Sequence, residues 1–196
     1  MEQLKMLGLV AIAALGLMAC MGVSAASATT LCTTTSGSCY AAGTEFHASL
    51  ETGTSATLTD TSGNTIATCT GSTAKGSIGT ATGTWVSGNG SSLTWEGCSQ
   101  TTDTVNTGSG EIMQTSGDNG EVVSKSSNVT LSIFGVSCTY GTGTGTTLGT
   151  ATGGEAPTIK ITATIPKTAG GFLCPSTGIF HASYILTSPH AVHIAA

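Results

Sequence analysis

The sequence predicts an all-β protein, an antiparallel β-sandwich (jelly-roll or Ig-like) that is stapled by disulfides. Three observations carry this. Apolar residues recur with a period of two in many short runs, which is the signature of half-buried strands. No 3.6-residue apolar period persists beyond the N-terminal segment, so no helix is available to make the crossovers that parallel strands need. Six cysteines are spread over the chain beyond that segment, among abundant Thr and 28 Gly. Thr and the other β-branched residues suit a pleated surface, and Gly marks turns and bulges. Many short strands at close spacing pack as a sandwich or a barrel.

The N-terminal element is a targeting segment. Lys5 precedes an apolar run from Leu7 to Met18, and the small residues Val23 to Ala28 follow it. A positive start, a short apolar core and an A-x-A-type exit make residues 1–28 a secretory signal peptide. The run is shorter than the roughly 20 apolar residues of a membrane span and lacks charged flanks on its far side. Leu17-Met18-Ala19-Cys20 has the form of a lipobox with Met18 out of pattern, so a lipid anchor through Cys20 is the alternative. Cleavage after Ala28 leaves about 168 residues, enough for one domain. It also turns seven cysteines into six, the even number expected of three disulfides in an oxidising compartment.

Residues 29–43 read as a stapled arm, with Cys32 and Cys39 closing a small loop and almost no large apolar residue for a core. Residues 44–196 read as the single sandwich domain. Phe46, Ala48 and Leu50 alternate with polar neighbours, as do Ala56 and Leu58, and Asp60 to Asn64 has turn composition. Leu93 and Trp95 alternate with Thr94 and Glu96. Ile112 to Thr115 and Glu121 to Lys125 flank Gly117-Asp118-Asn119-Gly120, where Asn-Gly is expected to supply the positive φ angles of a tight hairpin. Val129, Leu131 and Ile133 form another run. Ile159, Ile161, Ala163 and Ile165 give the cleanest alternation, and Phe180, Ala182, Tyr184 and Leu186 close the series. The Thr/Gly-rich stretches Ser77 to Thr84 and Thr142 to Gly154 read as loop passages. Each follows one cysteine and precedes another, which favours Cys69–Cys98 and Cys138–Cys174 beside Cys32–Cys39, out of fifteen arithmetically allowed pairings.

Composition limits the function classes. Charged residues are 8% of the chain, against about a quarter in an ordinary soluble domain. Beyond the signal the strong cations are Lys75, Lys125, Lys160 and Lys167, with no Arg, while all the carboxylates but Glu2 remain. Nucleic-acid binding and attachment to anionic membranes both need clustered cations. No nucleic acid and no membrane span are therefore expected among its partners, which leaves an extracellular polymer, a surface or other copies of the chain.

The order Thr44-Glu45-Phe46-His47-Ala48, Cys69-Thr70-Gly71, Leu93-Thr94-Trp95, Cys98, Cys138-Thr139-Tyr140-Gly141 and Cys174-Pro175-Ser176 with Phe180, Tyr184 and Thr187-Ser188-Pro189 covers nearly the whole chain. It resembles an uncharacterised family of secreted bacterial Thr/Gly-rich β-proteins. In layout it is also similar to the secreted activators of alkane oxidation. Neither resemblance brings catalytic residues with it.

No nucleophile elbow, P-loop, Rossmann fingerprint or C-x-x-C motif occurs. Gly141 to Gly145, lacking a following helix, reads as a loop or bulged edge rather than a phosphate cradle. His190 and His193 point oppositely on an extended tail, and His47 and His181 fall on the outward phase of their strands. No metal, cofactor or catalytic residue is therefore expected. The expected protein is a non-enzymatic, secreted extracellular or cell-surface structural or interaction protein. One alternative is a carbohydrate-binding or glycan-hydrolysing sandwich that pairs Glu96 with Glu111, with Trp85 and Trp95 as sugar platforms. Another is a filament or matrix subunit whose arm, residues 29–43, adds as a strand to a neighbour's open edge.

Overall fold

The computed structural model describes residues 28–133 and 135–196, and of residues 101–105 the backbone alone. The expected signal peptide lies outside the described residues except for Ala28. The strands are β1 (Thr30–Cys32), β2 (Glu45–Leu50), β3 (Ala56–Thr59), β4 (Thr65–Thr82), β5 (Trp85–Cys98), β6 (Thr101–Ser116), β7 (Asn119–Ile133), β8 (Val136–Thr142), β9 (Thr146–Thr152), β10 (Thr158–Ala169), β11 (Thr177–Ser188) and β12 (His193–Ala195). All ladders are antiparallel. The all-β, disulfide-stapled class stands, with Cys32–Cys39, Cys69–Cys98 and Cys138–Cys174 joined.

Two of the paths around the sheet are broken strands. Strands β2 and β3 run in the same direction along β4, from Glu45↔Ser77 to Ala56↔Cys69, with the kink at residues 51–55. Strands β8 and β9 do likewise along β7, interrupted at Gly143 to Gly145. With each broken pair counted once, the neighbours are β2/β3, β4, β5, β6, β7, β8/β9, β10 and β11, and β11 pairs back onto β2 and β3. Neighbours thus follow sequence order, not the crossed order of a jelly-roll or an immunoglobulin domain. One layer is β11, β2/β3, β4 and β5, and the other is β6, β7, β8/β9 and β10. Leu58 and Ala67 of the first pack with Leu131, Tyr140, Ala163 and Ile165 of the second. The alternation read from the sequence sets which side faces in: on β10, Ala163 and Ile165 are buried while Lys160, Thr162 and Thr164 are exposed.

The layers join along β10–β11 on one side. On the other, β5 and β6 pair only from Trp85↔Met113 to Asn89↔Ser109. Beyond Gly90, whose carbonyl accepts from Thr107 Oγ1 at 2.9 Å, the two strands make no ladder and leave a seam. The seam opens at the end carrying the turns at 60–64, 99–100 and 170–176. The other end is covered by a ribbon in which the arm strand β1 pairs with the C-terminal β12. Gln114 Nε2 donates to the Ile194 carbonyl at 3.0 Å, and Thr29 Oγ1 to the Thr84 carbonyl at 2.6 Å. The arm strand is thus held against the end of the chain.

Two local expectations need correction. The β6–β7 turn is centred on Gly117 (φ 53°) and Asp118, while Asn119 and Gly120 already pair within β7. Asn119 is fixed there by its ladder with Ser116 and by Thr152. The Thr/Gly-rich stretches are also mostly strand: Ser77 to Thr82 belong to β4, and Thr146 to Thr152 form β9. In β4 and β5, neighbouring side chains lie across particular glycines. A Cβ on Gly76 would meet the Phe46 ring at 2.5 Å, and one on Gly90 would meet Thr107 Cβ at 2.8 Å.

Candidate functional site

The residues proposed as an acid pair are far apart. Glu111 pairs with Ser87, whereas Glu96 pairs with Gly71 near the far end of β5. Nine residues of strand separate Ser87 from Glu96, about 30 Å at 3.3 Å per residue, so the two carboxylates form no dyad. Glu111 is paired instead with Lys125 Nζ at 3.0 Å. Trp85 and Trp95 lie at the same two ends of β5, so they share no groove. His181 is exposed, with Nδ1 3.3 Å from Thr162 Oγ1. His47 is half-buried on β2. His193 Nδ1 lies 2.8 Å from Asp118 Oδ2 and helps hold the terminal ribbon. No group of three metal-ligating side chains occurs among the described residues.

The interior was missed by sequence reading. Two apolar cavities of about 290 Å³ and 240 Å³ lie between the layers. Phe46, Thr107, Val122 and Ile159 line both, so the cavities are adjacent and Phe46 stands at their junction. Each is near the lower bound of the roughly 300–1,000 Å³ of small-molecule sites. The room arises from small inward residues. Ala48, Ala56, Ala67, Ala74 and Ala163 occupy inward positions of β2, β3, β4 and β10 around the larger cavity. In the sequence these alanines satisfy the apolar period, which records polarity but not volume.

The larger cavity lies at the open end and is bordered at the seam by Leu93 and Trp95 of β5 and by Asn106 and Thr107 of β6. The Trp95 ring meets Phe180 edge-on at 5.6 Å and 88°. Its Nε1–H is shut off from solvent and has no hydrogen-bond partner among the described residues. Several other polar groups nearby are engaged. Ser72 Oγ donates to the Thr94 carbonyl at 2.9 Å and lies 2.9 Å from Tyr184 Oη. Thr142 Oγ1 lies 2.6 Å from Ser124 Oγ, which lies 3.0 Å from Ser127 Oγ. Burial pushes the Tyr184 phenol up to about 12.

Next to the seam end, the β10–β11 turn holds Phe172, 94% exposed, and Leu173 in solvent. The Cys138–Cys174 bond anchors this turn, and Lys167 Nζ donates to the Gly171 and Cys174 carbonyls at 3.1 and 3.2 Å. No helix among the described residues is long and apolar enough to cross a membrane. Compared with known proteins, no family model, no curated protein and no solved structure matches this chain.

Proposed function

We propose that this is a secreted, non-catalytic binding protein that holds a small apolar molecule between its two layers. The observation that carries the reading is the pair of adjacent apolar cavities, the larger lined by alanines and bordered by β5 and β6 where their ladder ends. Antiparallel sheets of eight strands closed on themselves have interiors just wide enough for side chains or for one small ligand. Here the side chains are too small to fill the space. The signal-like N-terminus and the three disulfides support export to an oxidising compartment. Titration of the disulfide-intact protein with the apolar dye N-phenyl-1-naphthylamine tests the reading. Saturable one-to-one binding is expected, and its absence in both fluorescence and native mass spectrometry removes the proposal.

The Phe172–Leu173 tip favours a second reading, attachment to an extracellular surface or matrix. A nearly fully exposed phenylalanine on a disulfide-anchored turn loses no apolar contact within the fold when it docks elsewhere. Changing both residues to Ser is expected to reduce adsorption to an apolar surface and leave stability unchanged. Equal adsorption by the variant ends this reading. The arm is less available for strand exchange, because β1 is already paired with β12 of its own chain.

A further inference from the structure

We propose that Phe46 limits the length of the molecule this protein holds, by closing the waist between the two cavities so that a bound chain ends there. This rests on the apolar-ligand reading and names its specificity-determining residue and the class of ligand. The waist is built from four strands: Phe46 of β2, Thr107 of β6, Val122 of β7 and Ile159 of β10 each border both cavities. Phe46 is the largest of the four, and the backbone beside it is cleared for its ring. It pairs with Gly76 of β4, which pairs in turn with Gly90 of β5. Residues opposite one another on a ladder point to the same face, so two successive strands present no side chain there. The Phe46 ring takes up that space from one side, 2.5 Å from where a Cβ on Gly76 would stand. Thr107 takes it up from the other, with its Cβ 2.8 Å from the Cβ position of Gly90. A Cβ on Gly76 would also run into the Asn89 carbonyl oxygen, so the position is closed to a larger residue and the space is left to the ring.

The lining gives the class of ligand. No Lys, Arg, His, Asp or Glu borders the larger cavity, and Glu111, which borders the smaller one, is held by Lys125 at 3.0 Å. An ionised group inside either would lose its water without gaining a free counter-ion, which is strongly unfavourable. The enclosed molecule is therefore uncharged and apolar, and short enough for a single cavity of about 290 or 240 Å³.

A series of n-alkylbenzenes from toluene to octylbenzene, competed against the naphthylamine dye, tests this. Each added methylene should tighten binding by the wild-type protein about fourfold until one cavity is full. Further methylenes should then add nothing or weaken it. In Phe46→Ala the two cavities become one, so the fourfold steps should continue beyond the wild-type limit. A contact measurement on the wild-type protein decides the matter alone if the variant does not fold. Nuclear Overhauser effects from the longest probe that binds should reach the methyl groups of one cavity only, either Leu58, Leu131 and Ala163 of the larger or Ile78, Val86 and Ile194 of the smaller. A wild-type series that climbs without a limit, a limit at the same length in Phe46→Ala, or contacts from one probe to both sets of methyls overturns the proposal while leaving the apolar-ligand reading in place. Binding of none of the probes, nor of the dye, overturns both.

Discussion

Tyr184 and Trp95 are two amphipathic rings in one interior, one with its polar atom satisfied and one with no partner among the described residues. The single hydroxyl hydrogen of Ser72 goes to the Thr94 carbonyl, so Tyr184 Oη is the donor to Ser72 Oγ at 2.9 Å. Burial then holds the phenol neutral, and its pKa stands at about 12 against an ordinary 10.0. Since the folded value is raised, the stabilisation is fully present below pH 10.0 and is lost as pH climbs towards about 12, where the unfolded chain has released its proton and the folded one has not. The contribution is on the order of 2–3 kcal/mol. Tyr184→Phe should therefore cost about 1 kcal/mol near neutrality and flatten the alkaline loss of stability, as followed by urea unfolding over that pH window. Some slope will remain, because burial also raises the Tyr140 phenol.

Strands rich in Gly and Thr work here because single positions are matched across ladders. Gly108 sits at an irregularity of β6, between Asn106 and Ser109, with φ 58°. A Cβ there would run into the Ser126 carbonyl oxygen. Gly108→Ala is expected to destabilise by about 1–3 kcal/mol, measurable as a lowered denaturation midpoint, whereas the open-space Gly143→Ala should be close to neutral. The Cys69–Cys98 bond ties β4 to the free half of β5, across 29 residues of chain. Its loss in a Cys69→Ala/Cys98→Ala variant should cost on the order of 3–4 kcal/mol by chain entropy. Because Trp95 lies three residues from Cys98, amide exchange should rise first along residues 91–98.

At the scale of the whole molecule the two ends differ. The ribbon of β1 and β12 covers one end, where His193 and Gln114 fasten it, and the seam and the Phe172–Leu173 tip mark the other. Ala163, 1% exposed, faces the larger cavity from the centre of β10. Ala163→Leu places three more carbons in that space. If the cavity is the binding site, dye affinity should fall by about tenfold or more, while stability changes by less than the roughly 1–3 kcal/mol that overpacking costs in a filled core. Unchanged affinity would move the site to the smaller cavity, where Ile78 and Val86 are the next positions to enlarge or trim.

Much of this was legible in the sequence. Period-two runs such as Ile159 to Ile165 determined strand type and inward face, because side chains alternate strictly along a strand. Cysteine order favoured the disulfides that are formed, and turn composition marked Asp60 to Asn64, where Asp60 accepts from Ser62, Asn64 and the Asn64 amide at 2.8 Å each. Tertiary structure decided the rest. Only ladder register separates Glu96 from Glu111, and only closure of β11 onto β2 and β3 encloses the interior. Only ladder register ends the β5–β6 pairing at Asn89 and Ser109, so that Leu93 and Trp95 beyond it border the larger cavity. Binary pattern records which residues avoid water; how much space they leave, and which polar atoms lack a partner inside it, depends on volumes and distances summed across strands far apart in the chain.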